Sequence, residues 1–419
     1  MHRFLPFLWL AVAASSVCAQ ADLGRAAGAL RARLVEQRRD FHMHPELSNR
    51  EERTGRVIAE RLRALKLDEV RAGVARHGVV AVLRGAKPGP VVAWRADMDA
   101  LPIEDAIGAP YRSRNKGVKH ACGHDVHMAV GLGIAELLAG MRGEIAGTVK
   151  FLFQPSEEGP PEGEEGGAPL MIKDGALDNP RPAAIFGLHA TALTPAGSVG
   201  FASGPALASA EKFMITIQGR KTHAAWPHLG LDAITIGAEC VQALQSIRSR
   251  RIDPMQPMVL TVGIFQAGNR NNIVAESAYL EGTLRTLSES VRENVRTMMR
   301  QTLDGCTAAH GAKAALSWGA FQYPVTSNEP EMAEWSAAVL RGALGGNRVL
   351  QVSAVMGGED FSYYQKLIPG FFYWLGGGNP AKGITHGNHT AEFDMDEDSL
   401  VVGVQTGAAL LLEHLKRRP

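Results

Sequence analysis

The segment HACGHDVH, residues 120–127, places three histidines, a cysteine and an aspartate in eight positions. A thiolate and an imidazole two residues apart, Cys122 and His124, project to the same side of an extended or turning stretch. That pair suits Zn²⁺ and other borderline-soft divalent ions. Two donors do not hold a catalytic ion, so further ligands must come from elsewhere in the chain. The candidates are Glu157 and Glu158, Asp97 and Asp99, His189 and His389. Adjacent glutamates cannot both face one point. One can bind a cation while the other faces a water molecule. Hydrolysis needs this division, because the cation brings the water's pKa toward about 7 and a carboxylate removes the proton. Each piece alone has a plainer reading: a small core cysteine, a solvated acid pair, a satisfied buried histidine.

The elements that must position these groups decide between the two readings. GVVAVLRG, PVVAWRAD, GTVKFLFQP and AAIFGLHA are β-branched or apolar runs bounded by Gly and Pro, so they read as strands. Asp97 and Asp99 follow the strand ending at Trp94, and Glu157 and Glu158 follow the one ending at Phe153. His189 ends AIFGL, His389 lies beyond FFYWL, and Cys122 and His124 precede a helix. In open α/β sheets, ligands bind at the carboxyl ends of strands. Separate stretches that deliver acids and histidines to one edge mark a site. Ser48 with Glu51 forms a capping-box pattern, which predicts a helix from about Asn49 to Leu65. Asp125 is expected to cap a helix from Val126 to Ala139, stopped by Gly140.

Near Gly204 the pattern changes. A strand at KFMITIQG, a helix over 231–250, strands at PMVLTVGIFQAG and SAYLEGTLRT, a helix over 289–309 and a strand at AALSWG give the order β-α-β-β-α-β. That is the ferredoxin-like unit. A helix from Glu329 to Leu344, the strand GFFYWLGGG and an amphipathic helix from Ser399 to Lys416 return to the first domain. The expectation is an α/β protein: a discontinuous catalytic domain over 20–203 and 323–419, with a mixed sheet flanked by helices, and an inserted domain over 204–322. EEGPPEGEEGGAP is the one low-complexity loop.

A chain of 419 residues suits two domains. A formal net charge of +1 gives no electrostatic case for nucleic acid or an anionic membrane. Residues 1–19 read as a signal peptide: Arg3, an apolar run from Phe4 to Ala14, and the small-x-small site Val17-Cys18-Ala19. The run is shorter than the roughly 20 residues that span a bilayer. The expectation is therefore a periplasmic or secreted protein with no membrane insertion after the leader is removed. Cleavage leaves Cys122, Cys240 and Cys306; an odd count is no disulfide framework, and whether Cys240 and Cys306 pair stays open. There is no G-x-S-x-G elbow, H-E-x-x-H or P-loop. Gly131 and Gly133 lack the third glycine and the preceding strand of a dinucleotide fold.

The motifs RRDFHMHPELS, RADMDALPI, HACGHDVHMA, FQPSEEG, GLHA, TLRT, MGGEDFSYY and HTAEFDMDE occur in that order from about Leu34 to the C-terminus. Together they resemble the metal-dependent amidohydrolases and carboxypeptidases that include hippurate hydrolase, plant auxin-conjugate (indole-acetyl-amino-acid) hydrolases and bacterial N-acyl-amino-acid hydrolases. The resemblance implies two divalent ions (Zn, Mn, Ni or Co) on Cys122, His124, Glu158, His189 and His389. It implies Glu157 as general base and Asp99 as the acid that orients the site. The inserted domain resembles the family's lid and dimerisation domain, so a homodimer is expected. There His223 matches a carbonyl-polarising histidine, and Asn272 and Arg285 match positions that hold the substrate carboxylate. Glu359, in GGEDF, falls near the family's substrate site; Asp360 beside it could equally cap the next helix. The implied reaction releases an amino acid from a small N-acyl amino acid. A dipeptidase or carboxypeptidase is the alternative within the class, and an inactive substrate-binding homologue the alternative outside it. The loop after Glu158 departs from the family's short Gly-rich turn.

Overall fold

The computed structural model describes residues 22–417, so the expected leader lies outside the described residues. The elements in chain order are α1 (22–29), α2 Arg31–Met43, α3 Glu52–Ala64, β1 Glu69–Val74, β2 Gly78–Arg84, β3 Lys87–Asp97, α4 His124–Gly140, β4 Ala146–Gln154, α5 Gly167–Lys173, β5 Ala184–Pro195, β6 Val199–Phe201, β7 Gly204–Leu207 and β8 Ser209–Gln218. Then follow α6 Ala233–Ser246, β9 Met258–Ala267, β10 Ser277–Thr286, α7 Glu289–Ala308, β11 Lys313–Trp318, β12 Thr326–Asn328, α8 Pro330–Leu344, β13 Val349–Gln351, α9 Ser362–Gln365, β14 Gly370–Gly378 and α10 Asp398–Leu415. No described helix is long and apolar enough to cross a membrane.

The chain forms two compact units. One comprises the described residues up to Gly204, with Ser327–Ser353 and the stretch from Tyr363 onward; the other comprises Pro205–Thr326 and Ala354–Ser362. The first is built on an eight-stranded mixed sheet of order β1-β2-β4-β3-β5-β14-β6-β13. Its four central strands, β4, β3, β5 and β14, run parallel. Parallel strands are covered on both faces, which is why they read as near-continuous apolar runs. Trp94, Phe151, Phe153, Phe186, Phe371 and Tyr373 fill that core. Helices α2, α4 and α10 approach closely where side chains are absent. A Cβ at Gly133 would collide with Leu34 and Val404, and one at Gly403 with Val130. Those helix contacts account for Gly133 of GLGIAELLAG.

The register sets the site. Asp97 pairs with Gln154, Arg95 with Gly187 and His189 with Trp374, so the ends of β3 and β4 and the middle of β5 emerge at one edge. His189 does not end its strand. β5 continues to Pro195 because β14 still pairs with it after its pairing with β3 stops.

Two expected helix caps are corrected. The helix α3 begins at Glu52, and no capping box forms. Glu46 accepts the backbone N–H groups of Arg53 and Thr54 at 3.0 and 2.8 Å, which leaves Ser48 and Glu51 for other partners. The helix α4 begins at His124 behind Gly123, and Asp125 points away from its N–H groups into an ion pair with Arg38.

The second unit holds a four-stranded antiparallel sheet of order β11-β8-β10-β9, with α6 and α7 contributing to its core around Phe213, Ile215, Leu244, Leu280, Val295 and Met299. Cys240 on α6 and Cys306 on α7 form a disulfide with Cα atoms 5.8 Å apart, which answers the pairing question. The segment 354–362 packs with this unit: Ala208 N–H donates to Val355 O and Gly357 O at 3.1 and 2.8 Å, and Thr326 Oγ1 donates to Glu359 O at 3.0 Å.

Candidate metal centre

All five expected ligands, with Glu157 and Asp99, belong to the first unit, and its sheet edge draws them together. Cys122 Sγ lies 3.3 Å from His189 Nε2 and 3.2 Å from His389 Nε2, and His389 Nε2 lies 3.2 Å from Glu158 Oε1. His124 Nε2 lies 3.9 Å from Glu157 Oε2 and 3.8 Å from Asp97 Oδ1. The donor atoms of Cys122, His124 and His189 fall within 4.8 Å of one another, as do those of Cys122, Glu158 and His389 and those of His124, Glu157 and Glu158. Overlapping triads of this size are the spacing a pair of cations requires.

Local backbone explains the convergence. Gly123, at φ 95°, lets the chain turn so that Cys122 and His124 face one point; a Cβ there would press on Ala190 at 2.9 Å. His389 is held in a left-handed conformation at φ 66°. Its N–H donates to Ala121 O, and Asn388 Nδ2 donates to both Cys122 O and Ala190 O at 2.9 Å. Asn388 thus ties together the segments that carry Cys122, His189 and His389.

Asp99 orients the acid pair. Its Oδ1 accepts the N–H of Glu157 and its Oδ2 that of Glu158, both at 3.0 Å. Ser48 Oγ donates to Oδ2 at 2.7 Å, which is where the supposed cap residue goes. His124 Nδ1 donates to Asp99 O at 2.8 Å, so Nε2 is the nitrogen presented to the site. That Nε2 is buried and has no hydrogen-bond partner. A buried imidazole nitrogen left open among carboxylates and a thiol fits a divalent ion, and it is costly otherwise.

The electrostatics agree. Burial alone would lower His124, but Asp97, Asp99 and Glu158 outweigh it and hold the ring up to about 10. Burial, reinforced by His127, pushes His189 down to about 3, so its ring is neutral. Burial, then Glu158 and Glu157, pushes the Cys122 thiol well up. Such a thiol becomes a thiolate only beside positive charge.

Several contributors escape a ligand-based reading. Asp97 accepts from His127 Nδ1 and Arg95 Nη1, each at 2.5 Å, and Arg95 Nε donates to Gln154 at 3.0 Å. Behind α4 lies a buried ionic chain: Asp125 pairs with Arg38 and with His42 at 2.7 Å, His42 with Asp105 at 3.2 Å, and Asp105 with Lys119 at 2.9 Å. Arg38 and His42 of RRDFHMHPELS therefore anchor the start of α4. His120, the third histidine of the opening motif, is buried and pushed down to about 3 by that burial. The loop after Glu158 is pinned by Glu164, which accepts from Arg50 at 2.6 Å and from Asn49 at 3.0 Å before α5 begins.

The remaining candidates belong to the second unit. His223 is exposed, and its Nδ1 accepts the N–H of Ala225 at 3.1 Å, which leaves the neutral ring's proton on Nε2. Asn272 O accepts from Ala224 N–H, so His223 and Asn272 sit on adjacent segments. Arg285 Nη1 donates to Met356 O at 2.8 Å. Glu359 is fully buried, and its Oε1 accepts from Phe361 N–H at 2.9 Å.

A mixed-sheet α/β unit that gathers thiol, imidazole and carboxylate donors beside a second glutamate is the architecture of a dinuclear metallohydrolase. Residues 93–413 match Peptidase family M20/M25/M40, and the chain belongs to that family. It is a metal-dependent amidohydrolase that uses two divalent ions. It is 38% identical to the N-acetylcysteine deacetylase of Bacillus subtilis over 392 residues, 93% of this chain and 99% of that one. It is 36% identical to thermostable carboxypeptidase 2 of Saccharolobus solfataricus over 381 residues, 91% of this chain and 95% of that one. The solved structure of the Bacillus subtilis YXEP protein, a dinuclear metal-binding peptidase of the M20 family, superposes with a TM-score of 0.80 at 34% identity, covering 93% of this chain and 99% of that one.

Proposed function

We propose that this protein hydrolyses the amide bond of a small N-acyl amino acid and releases the free amino acid. The observation that carries the reading is a pair of adjacent glutamates on one clamp, both within reach of His124, with Glu158 also reaching His389. Asp99 holds both N–H groups, Glu158 pairs with His389 at 3.2 Å, and Glu157 Oε2 stands 3.9 Å from His124 Nε2. Cys122, His124, Glu158, His189 and His389 would hold two divalent ions, Zn, Mn, Ni or Co. When bound, those ions polarise the scissile carbonyl and acidify a water molecule. Glu157 takes the proton from that water and delivers it to the leaving amine. His223 donates Nε2–H to the developing oxyanion, and such donors are worth about 3–4 kcal/mol each. Asn272 and Arg285 match the family's positions that hold the substrate carboxylate, and Glu359 matches a position near its substrate site.

Relatives named as deacetylases of N-acetylcysteine and N-acetyldiaminopimelate favour an acyl-amino-acid substrate. The relative named a carboxypeptidase keeps short peptides as the second reading. An inactive binding homologue fits poorly with a complete donor set and a second glutamate. The β-α-β-β-α-β unit is read as a ferredoxin-like lid that also forms a homodimer. Support for the dimer comes from its edge strand β9, where Val259, Ile264 and Phe265 are 38–41% exposed. Export to the periplasm or medium is supported by the Cys240–Cys306 disulfide, a bond typical of oxidising compartments.

The test is a panel of N-acetyl, N-benzoyl and N-fatty-acyl amino acids with dipeptides, assayed on metal-analysed protein beside Glu157→Gln. The variant is expected to keep its metal and lose about 10²–10⁴ in kcat. Substantial turnover by Glu157→Gln would remove the base, and hydrolysis of dipeptides alone would select the peptidase reading.

A further inference from the structure

The turn that carries Glu157 and Glu158 is gripped by two carboxylates. Asp99 takes the N–H groups of residues 157 and 158, and Glu51 Oε1 accepts the preceding one, Ser156 N–H, at 2.8 Å. Three consecutive backbone donors thus end on two acids from different parts of the chain. Glu51 is fully buried at the N-terminus of α3, yet it does not cap that helix, because Glu46 already takes the N–H groups of Arg53 and Thr54. Its Oε2 is buried without a hydrogen-bond partner, and so are Ser156 Oγ and Asn49 Oδ1. Helix formation gives no reason to bury an acid here, and burying one is unfavourable. The turn supplies a reason. Ser156 sits at φ 60°, a conformation a serine keeps only when its surroundings hold it there.

We propose that Glu51 is a positioning residue for the hydrolytic site: its carboxyl fixes the Ser156 peptide and, through it, the direction of the Glu157 carboxylate, without touching substrate or cation. This rests on the reading of Glu157 as the base. Burial, with Asp99 nearby, pushes Glu51 up to about 8, so it is mainly the neutral acid at pH 7. Two buried negative charges are thereby avoided, and glutamine is its isosteric equivalent.

The experiment compares full-length, metal-loaded wild type with Glu51→Gln and Glu51→Ala. For the alanine variant, kcat per metal-loaded chain should fall about 30- to 100-fold, the scale of a small misplacement of a reacting group. KM and metal content should stay within about 2-fold, and glutamine should restore kcat to within about 3-fold. Hydrogen exchange of the peptide spanning 155–158 should quicken in the alanine variant and not in the glutamine variant. If Glu51→Ala does not fold, Glu51→Met fills the volume without an acceptor. Wild-type kcat in the variant lacking the acceptor, or a loss that tracks folded or metal-loaded protein with unchanged exchange at 155–158, would overturn the proposal. An active Glu157→Gln would defeat the base assignment instead, and the exchange readout would still report on the Glu51 clamp.

Discussion

His127 Nε2 accepts the backbone N–H of Ala190 at 2.7 Å, and its Nδ1 donates to Asp97. Both ring nitrogens are therefore in use. His127 lies close enough to Asp97 and His124 to suggest a metal group, but it has no lone pair left to give. It serves instead as a strut between the end of β3 and the strand that bears His189.

Replacement of His127 by leucine should leave two ions per chain while weakening their affinity about 10- to 100-fold, the usual effect of removing a supporting hydrogen bond. Titration with metal analysis checks this. A stoichiometry that drops to one would make His127 a ligand.

Metal loading should release protons. Burial and the surrounding acids keep the Cys122 thiol protonated, and Asp97 and its neighbours hold His124 up to about 10. A cation must displace both protons, one from sulfur and one from nitrogen, or about two in all near pH 7. Affinity should therefore rise with pH. Calorimetry in buffers of different ionisation enthalpy measures the release, and a pH-independent affinity with no protons released would contradict it.

Reduction should weaken the second unit more than the first. The Cys240–Cys306 bond closes a span of 66 residues, and removing it is expected to cost about 2–4 kcal/mol. A paired Cys240→Ala, Cys306→Ala variant should unfold in that unit at lower denaturant and still bind two ions. Identical unfolding with and without reductant would show that the bond contributes nothing.

Acid should destabilise the packing of α10 through His414. Its ring lies edge-on to Trp335 and Phe186 at centroid distances of 5.7 and 5.6 Å, and burial, with Arg417 adding repulsion, pushes it down to about 4. The unfolded chain takes up a proton near pH 6.5 and the folded one only near 4. Stability from this group is complete above pH 6.5 and declines as pH falls toward 4. His414→Phe should flatten the stability profile in that window, as followed by denaturant midpoints from pH 4 to 7. An unchanged slope would clear His414.

Strands and helices with strong patterns were readable from the residues. GVVAVLRG, PVVAWRAD and GFFYWLGGG are strands, and the final helix ends at Leu415, within one residue of the expected Lys416. The short strands β6 and β13 were not legible, because three residues carry no periodicity. The caps failed for a shared reason. Ser48, Glu51 and Asp125 have the chemistry of local caps, but Asp99, Ser156 and Arg38, distant in sequence, compete for them where burial makes a charged partner or a second hydrogen bond outweigh a local N–H.

The sequence by itself determined the donor inventory and its place at strand ends, since thiol, imidazole and carboxylate chemistry is a property of residue type and strand period is a property of pattern. Only the tertiary structure decided which groups face the cations and which hold them in place. That choice depends on hydrogen bonds between segments as far apart in sequence as His389 and Ala121, and on which nitrogen or oxygen each bond leaves open.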